Sequence, residues 1–122
     1  MKRLFVLPFM ALLSLSFQAS ACLLIKDTYS GTIPANGTAY YGPFTIGSTC
    51  TMANIASTIA ALGAGSPPQL YIEKLSGSSW VQVAGGTGTT ASYLGALGTF
   101  RVKQVNTTTA SESYSGTTSY GH

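Results

Sequence analysis

Charge is what this chain has least of. Of its 122 residues only 7% are charged: six Lys and Arg, three Asp and Glu, with a single histidine, His122. That inventory leaves little for side-chain catalysis. A Ser-His-Asp arrangement would have to use the terminal His122, in a glycine-flanked end that is expected to fray. A glycosidase pair would have to come from Asp27, Glu73 and Glu112, and Glu73 reads more simply as a solvated strand charge. No His, Cys, Asp or Glu cluster has zinc or calcium spacing, so neither a metal nor a cofactor is expected. Gly85-Gly86-Thr87-Gly88 lacks the Lys and the following helix of a phosphate loop. The chemistry implied is binding rather than catalysis.

The basic excess is also confined to one place. Lys2 and Arg3 open an N-terminal segment that continues as an apolar run from Leu4 to Phe17 and ends in the small residues Ala19-Ser20-Ala21. This is the layout of a signal peptide over 1–21. The residues that follow carry four basic and three acidic side chains, a near-neutral balance that excludes the clustered basic footprint of nucleic-acid binding. No other stretch is long and apolar enough to span a bilayer, so membrane contact would require a lipidated Cys22 or an uncleaved leader. The expected address is secreted, periplasmic or cell-surface.

Cysteine is scarce too, and the two present pose a fork. In an oxidising compartment Cys22 and Cys50 would pair, closing a loop of about 29 residues worth on the order of 3–4 kcal/mol. The alternative makes Cys22, first after the cleavage site, the acylated residue of a lipoprotein. Ala19 then stands where such motifs usually place leucine, and Cys50 is left unpaired.

What is abundant points to a packed β domain. Seven Tyr, five Phe (of which Phe44 and Phe100 lie within residues 22–122) and a 45% hydrophobic fraction over the whole chain argue for one packed core, while Gly, Ser and Thr supply turns and an uncharged surface. Leu23–Tyr29 reads as a first strand and Thr38–Ile46 as a second, made an edge or bulged strand by Pro43. Between Thr49 and Leu62, Met52, Ile55, Ile59 and Leu62 recur at helical spacing, so a short helix over 52–62 competes with the strand favoured by Thr49, Thr51, Thr58 and the β-branched Ile55 and Ile59. Ala91–Leu94 and Gly98–Val105 are further strands, the latter with Phe100 and Val102 opposite Arg101 and Lys103. Residues 107–122 form either a last strand or a loose tail. The pattern is that of a small antiparallel β-sandwich, jelly-roll-like or Ig-like.

The sharpest local signal is Gln69–Ala84. With Gly77-Ser78 as a two-residue loop, Gly77 takes the glycine position of a type II′ turn. Leu75 then faces Trp80, Lys74 faces Val81, Glu73 faces Gln82 and Ile72 faces Val83. Leu70, Ile72, Val81 and Val83 share a core face, and Tyr71, Glu73, Trp80 and Gln82 share the outer one. Those four outer residues are the candidate binding residues, a mixed aromatic and polar platform for a sugar ring or a protein side chain. The bland alternative buries Trp80 under a second sheet or a loop. Tyr40 and Tyr41 point to opposite faces of their strand, one inward and one outward.

Three phrases, GTIPANGTAYYGPFTI at 31–46, PQLYI at 68–72 and GTFRV at 98–102, follow one another in an order that resembles bacterial pre-peptidase C-terminal-type domains. The resemblance implies a secreted β-sandwich module accessory to other exported proteins. Where that family places acidic residues before its Leu-Tyr strand, this chain has Pro67-Pro68-Gln69, so no metal site is implied there. Asn36-Gly37-Thr38 and Asn106-Thr107-Thr108 match the glycosylation sequon, which has meaning only in a eukaryotic host. The function expected is an exported, non-catalytic interaction module for a glycan or a protein surface. The alternative is a structural subunit of an extracellular filament or surface assembly, with strand addition at the 38–46 edge making a homo-oligomer.

Overall fold

Period-two alternation of buried and exposed residues runs through most of the chain and sorts it into eight strands. The structure, a computed structural model, describes residues 22–86 and 88–122. The leader read over 1–21 lies outside the described residues. The strands are β1 (Leu24–Ile33), β2 (Thr38–Ile46), β3 (Ala53–Ala61), β4 (Gln69–Ser76), β5 (Ser79–Gly85), β6 (Thr90–Gly95), β7 (Gly98–Val105) and β8 (Glu112–Gly121). They form two antiparallel four-stranded sheets, ordered β1-β8-β3-β6 and β2-β7-β4-β5. Eight strands in this crossed order make a jelly roll, which resolves the alternative with the Ig-like sandwich.

Inward residues of both sheets build one core: Ile33, Phe44, Ile46, Ile55, Ile59, Leu70, Ile72, Phe100 and Val102. Along β3 the buried positions are Ala53, Ile55, Ser57 and Ile59. The short helix over 52–62 is therefore not formed. A separation of four residues fits both periods, and pairing with β6 and β8 on either side decided for the strand. Met52 and Leu62, half of the helical pattern, lie exposed just beyond the strand ends.

The loose tail over 107–122 is corrected as well. β8 sits between β1 and β3, with Tyr114, Gly116, Thr118 and Tyr120 turned inward. Gly116 is required there, because a Cβ would fall 2.5 Å from the ring of Tyr29. The expected fraying of the terminus does not occur either. His122 exchanges two backbone hydrogen bonds with Leu23, at 2.7 and 3.0 Å, and its Nδ1 lies 3.1 Å from the Thr45 carbonyl. Beside this end Cys22 and Cys50 form the disulfide, with Cα atoms 4.9 Å apart. The sulfur that a lipoprotein would acylate is used in that bridge.

Hydroxyls and amides do most of the polar pairing inside the sandwich, where the one inward carboxylate of β8, Glu112, accepts from Thr108 Oγ1 at 3.4 Å. Tyr29 Oη lies 2.7 Å from Thr118 Oγ1, which in turn lies 2.8 Å from Ser57 Oγ. Gln104 Nε2 donates to Tyr29 Oη at 3.4 Å, and Gln104 Oε1 has no partner among the described residues. On the side where β1 and β2 adjoin, Tyr29 stacks on Tyr41 with centroids 4.5 Å apart, and Phe44 on Tyr120 at 4.1 Å. Tyr41 donates a short hydrogen bond to Asp27. Burial, then that bond, then Tyr120 push the Tyr41 hydroxyl well above the ordinary tyrosine range, and burial does the same, less strongly, for Tyr114.

Asn106 is a second internal fastener. Its Nδ2 donates to the carbonyls of Ile33, Pro34 and Ala110 at 3.1, 3.0 and 2.8 Å, and its Oδ1 accepts from Thr108 N and Oγ1. At 1% exposure this amide is closed to glycosylation, so the sequon there is a structural motif. Asn36, by contrast, is an exposed turn residue with φ of 56°.

Asn106→Ala should destabilise the protein by about 2–4 kcal/mol in urea unfolding, since three carbonyls lose their donor in a buried site, while Asn36→Gly should change little. A second expectation concerns alkali. Tyr41 and Tyr114 keep their protons in the folded state at pH values where the unfolded chain loses them, near the ordinary pKa of about 10. The unfolded state then binds fewer protons, so stability should hold through neutral pH and fall as pH rises past about 10. Tyr41→Phe should make that fall shallower, as read from urea midpoints at matched ionic strength.

Candidate functional site

The Gly77-Ser78 turn places two short strands so that their alternate side chains meet on the outside of the β2-β7-β4-β5 sheet. Gly77 has φ of 62°, as the first central position of a type II′ turn requires. Ser76 pairs with Ser79, Leu75 with Trp80, Lys74 with Val81 and Glu73 with Gln82, the register read from the sequence. Beyond Glu73 the register shifts: Ile72 pairs with Ala84 rather than Val83, and Tyr71 with Gly85. The extra residue is a β-bulge, closed by Gly85 at φ 92°. The faces survive for the working residues. Leu70 and Ile72 are fully buried, while Tyr71, Glu73, Trp80 and Gln82 lie on the opposite side.

One inward expectation fails. Val81 is 49% exposed on the edge strand β5, close to the hairpin turn. Trp80 lies on the outer face, where the hairpin register puts it, and is half-buried there against Arg101 rather than under a second sheet.

The organising side chain on this face comes from β7. Arg101, opposite Glu73 in the ladder, lies with its guanidinium carbon 4.1 Å from the Tyr40 ring centroid and 4.3 Å from that of Trp80. Its Nε donates to Glu73 Oε1 at 2.7 Å. Lys103, two residues on, has its ammonium 4.0 Å from Glu73 Oε2 and 5.8 Å from the Tyr71 ring. Tyr71 Oη donates to Gln69 Oε1 at 2.6 Å, and Gln82 Nε2 donates to the Gly85 carbonyl at 3.4 Å. The result is an aromatic-cation array in which every long side chain already has a partner. Glu73 is covered by its neighbours, at 8% exposure, whereas Tyr40 is 50% exposed. Electrostatically the face presents two cations and hides its one carboxylate.

Tyr40, Arg101 and Lys103 were absent from the expected site. Outward positions for Arg101 and Lys103 were readable from the alternation of their strand. Their meeting with the hairpin was not, because it depends on β7 lying between β2 and β4. The β2 strand is an edge, as Pro43 suggested, and it is also bulged, with its register shifting between Tyr41 and Phe44 around a cis Gly42-Pro43 bond. Among the described residues, no group of three His, Cys, Asp or Glu side chains converges on a point.

No family profile matches the sequence, and no curated protein does. Among solved structures the chain is similar to the Yersinia pseudotuberculosis-derived mitogen, with a TM-score of 0.61 at 15% identity over 79% of this chain and 86% of that one. What they share is the fold. FlhE matches with a TM-score of 0.48 at 17% identity, over 82% of this chain and 96% of that one. A protein of the Bacillus endospore appendages, which form disulfide-linked pili, matches at 0.41 and 16%, over 84% and 89% of the two chains. At these scores the last two carry no argument here.

Trp80→Ala should cost about 1–2 kcal/mol, the loss of a half-buried ring and its cation–π contact. Phe100→Ala, the core control that Val81 cannot provide, should cost about 3–5 kcal/mol. Chemical denaturation of the two variants side by side tests the placement.

Proposed function

We propose that this chain is an exported, non-catalytic binding domain that recognises an acidic protein surface through the outer face of β2-β7-β4-β5. The observation that carries the reading is Arg101, held between Tyr40 and Trp80 and tied to Glu73. Trp, Tyr and Arg are the residues that dominate binding hot spots. Here they are fixed before any partner arrives, which lowers the entropy cost of association. Arg101 and Lys103 outnumber the covered Glu73, so a carboxylate-bearing partner is the electrostatic match. Export is supported by the Cys22–Cys50 disulfide.

A protein partner fits better than a glycan. Sugar recognition uses open ring faces, and Tyr40 and Trp80 each have one face occupied by the guanidinium. The face also spans four strands without a pocket among the described residues, a shape suited to a broad contact.

The test applies the purified chain to a panel of extracellular proteins and to a glycan array that includes acidic sugars. Binding to an acidic protein that weakens with salt, falls at least about tenfold in Arg101→Ala and Trp80→Ala, and is unchanged in Thr58→Ala on the other sheet would support the reading. Binding confined to glycans, or equal in all three variants, would contradict it.

A further inference from the structure

The four sheet edges of this jelly roll are not equivalent. An edge strand offers unpaired N–H and C=O groups to any chain that can match it, and folded proteins blunt such edges with bulges, prolines, charges or short strands. Three of the edges are blunted in these ways. β2 is bulged between Tyr41 and Phe44 and contains Pro43, which has no N–H to give. β5 carries the bulge across from Ile72 and Glu73 and ends at the left-handed Gly85. β6 has only six residues.

The fourth, β1, carries charge at Lys26 and Asp27 but is not blunted in its backbone. Its ten residues pair with β8 without a register shift from Leu24↔Gly121 to Ile33↔Glu112, and it contains neither proline nor a positive φ. Its outward side chains, Leu24, Lys26, Thr28, Ser30 and Thr32, are all exposed. The edge with the most regular backbone is thus on the opposite sheet from the 38–46 segment that the sequence suggested.

The geometry points to a second copy of this chain as the occupant of the β1 edge, paired antiparallel with its own β1 about a two-fold axis normal to the sheet. Such an axis keeps outward residues opposite outward residues, and the charges select among the remaining registers. Centring on Lys26 or on Asp27 sets like charges directly opposite each other, which is unfavourable. Centring on Thr28 sets Lys26 against Ser30, Asp27 against Tyr29 and Leu24 against Thr32, so that the pairing reaches Leu24 at one end. Centring on Tyr29 pushes Leu24 against Pro34, where the strand has ended.

The Thr28 register also continues a pattern already present within one copy. Thr90, Thr58, Thr117 and Thr28 lie in one row across β6, β3, β8 and β1, with Thr28 Oγ1 3.2 Å from Thr117 Oγ1. A two-fold partner extends that row through a Thr28–Thr28 pair, a favourable cross-strand combination. The composite is an eight-stranded sheet whose outer surface is almost uncharged, with the Arg101 faces of both copies on its other side. That arrangement would present two copies of the proposed recognition face, and its existence does not depend on whether that face binds anything.

Light scattering across a concentration series of the purified chain, with the native disulfide intact, reads the association directly. The expected result is a concentration-dependent dimer that Thr28→Lys weakens by roughly tenfold or more, while Thr45→Lys on β2 leaves it unchanged. Thr28→Cys should form a covalent dimer on mild oxidation, because directly opposed positions lie within disulfide reach. Ser30→Cys and Thr32→Cys should not, since each meets a different residue. Urea unfolding of Thr28→Lys, matching the parent chain, separates lost pairing from lost folding. A chain that stays monomeric up to millimolar concentration would overturn the proposal, as would a dimer indifferent to Thr28→Lys or one cross-linked equally from all three positions.

Discussion

The planar guanidinium of Arg101, clasped between Tyr40 and Trp80 and hydrogen-bonded to Glu73, is the contact on which the outer face depends. It gathers side chains from every strand of its sheet: Tyr40 from β2, Arg101 from β7, Glu73 from β4 and Trp80 from β5. Only a flat, permanently charged group can stack on two rings while donating in its own plane, so lysine at this position would lose the geometry as well as the bond. The contact exists because β7 lies between β2 and β4, an arrangement that the jelly-roll crossings impose. Fold and site are linked through that single strand order.

A chain with so few charges must satisfy its polar groups by other means. Outside, the other sheet carries hydroxyl ladders such as Thr28–Thr117 and Thr32–Ser113. Inside, the Tyr29–Thr118–Ser57 relay and the Asn106 fastener satisfy polar atoms without ions. Neutral hydrogen bonds are individually modest, and leaving a buried partner unmade is costly, so these groups specify the packing more than they deepen the stability. The disulfide compensates at the one end where the first described residues, the last residues and the β2–β3 connection meet.

Where the determinants were local, they could be read along the chain. Gly77 and the alternation around it defined the hairpin register as far as Glu73, and Pro43 marked an edge strand. Ile55 and Ile59, four residues apart, could not distinguish helix from strand, because both periods return a side chain to the same face after four residues. β8 was obscured because its inward positions are Glu112, Tyr114, Gly116, Thr118 and Tyr120, which contrast weakly with the Ser and Thr between them. The bulge at Val83 could not be seen because nothing in Val83 itself demands it. It is Gly85, tolerating a left-handed φ where a Cβ would lie 2.1 Å from the Leu70 carbonyl oxygen, that lets the strand absorb the extra residue. Half of the candidate face was legible for the same reason that the other half was not. Tyr71, Glu73, Trp80 and Gln82 belong to one hairpin, whereas Tyr40 and Arg101 reach it only through long-range pairing.

The central claim is that the Arg101 face is rigid and assembled before any partner binds. Side-chain NMR of the free protein tests it most directly, through the Arg101 Nε–H resonance and its relaxation. If the clasp is preformed, that resonance should retain an order parameter near the rigid-backbone value of about 0.85 and move downfield in Trp80→Ala, where one shielding ring is lost while the bond to Glu73 remains. An Arg101 Nε–H with a resonance unmoved by Trp80→Ala and an order parameter below about 0.6 would mean a freely moving side chain, and the preorganised face would have to be given up.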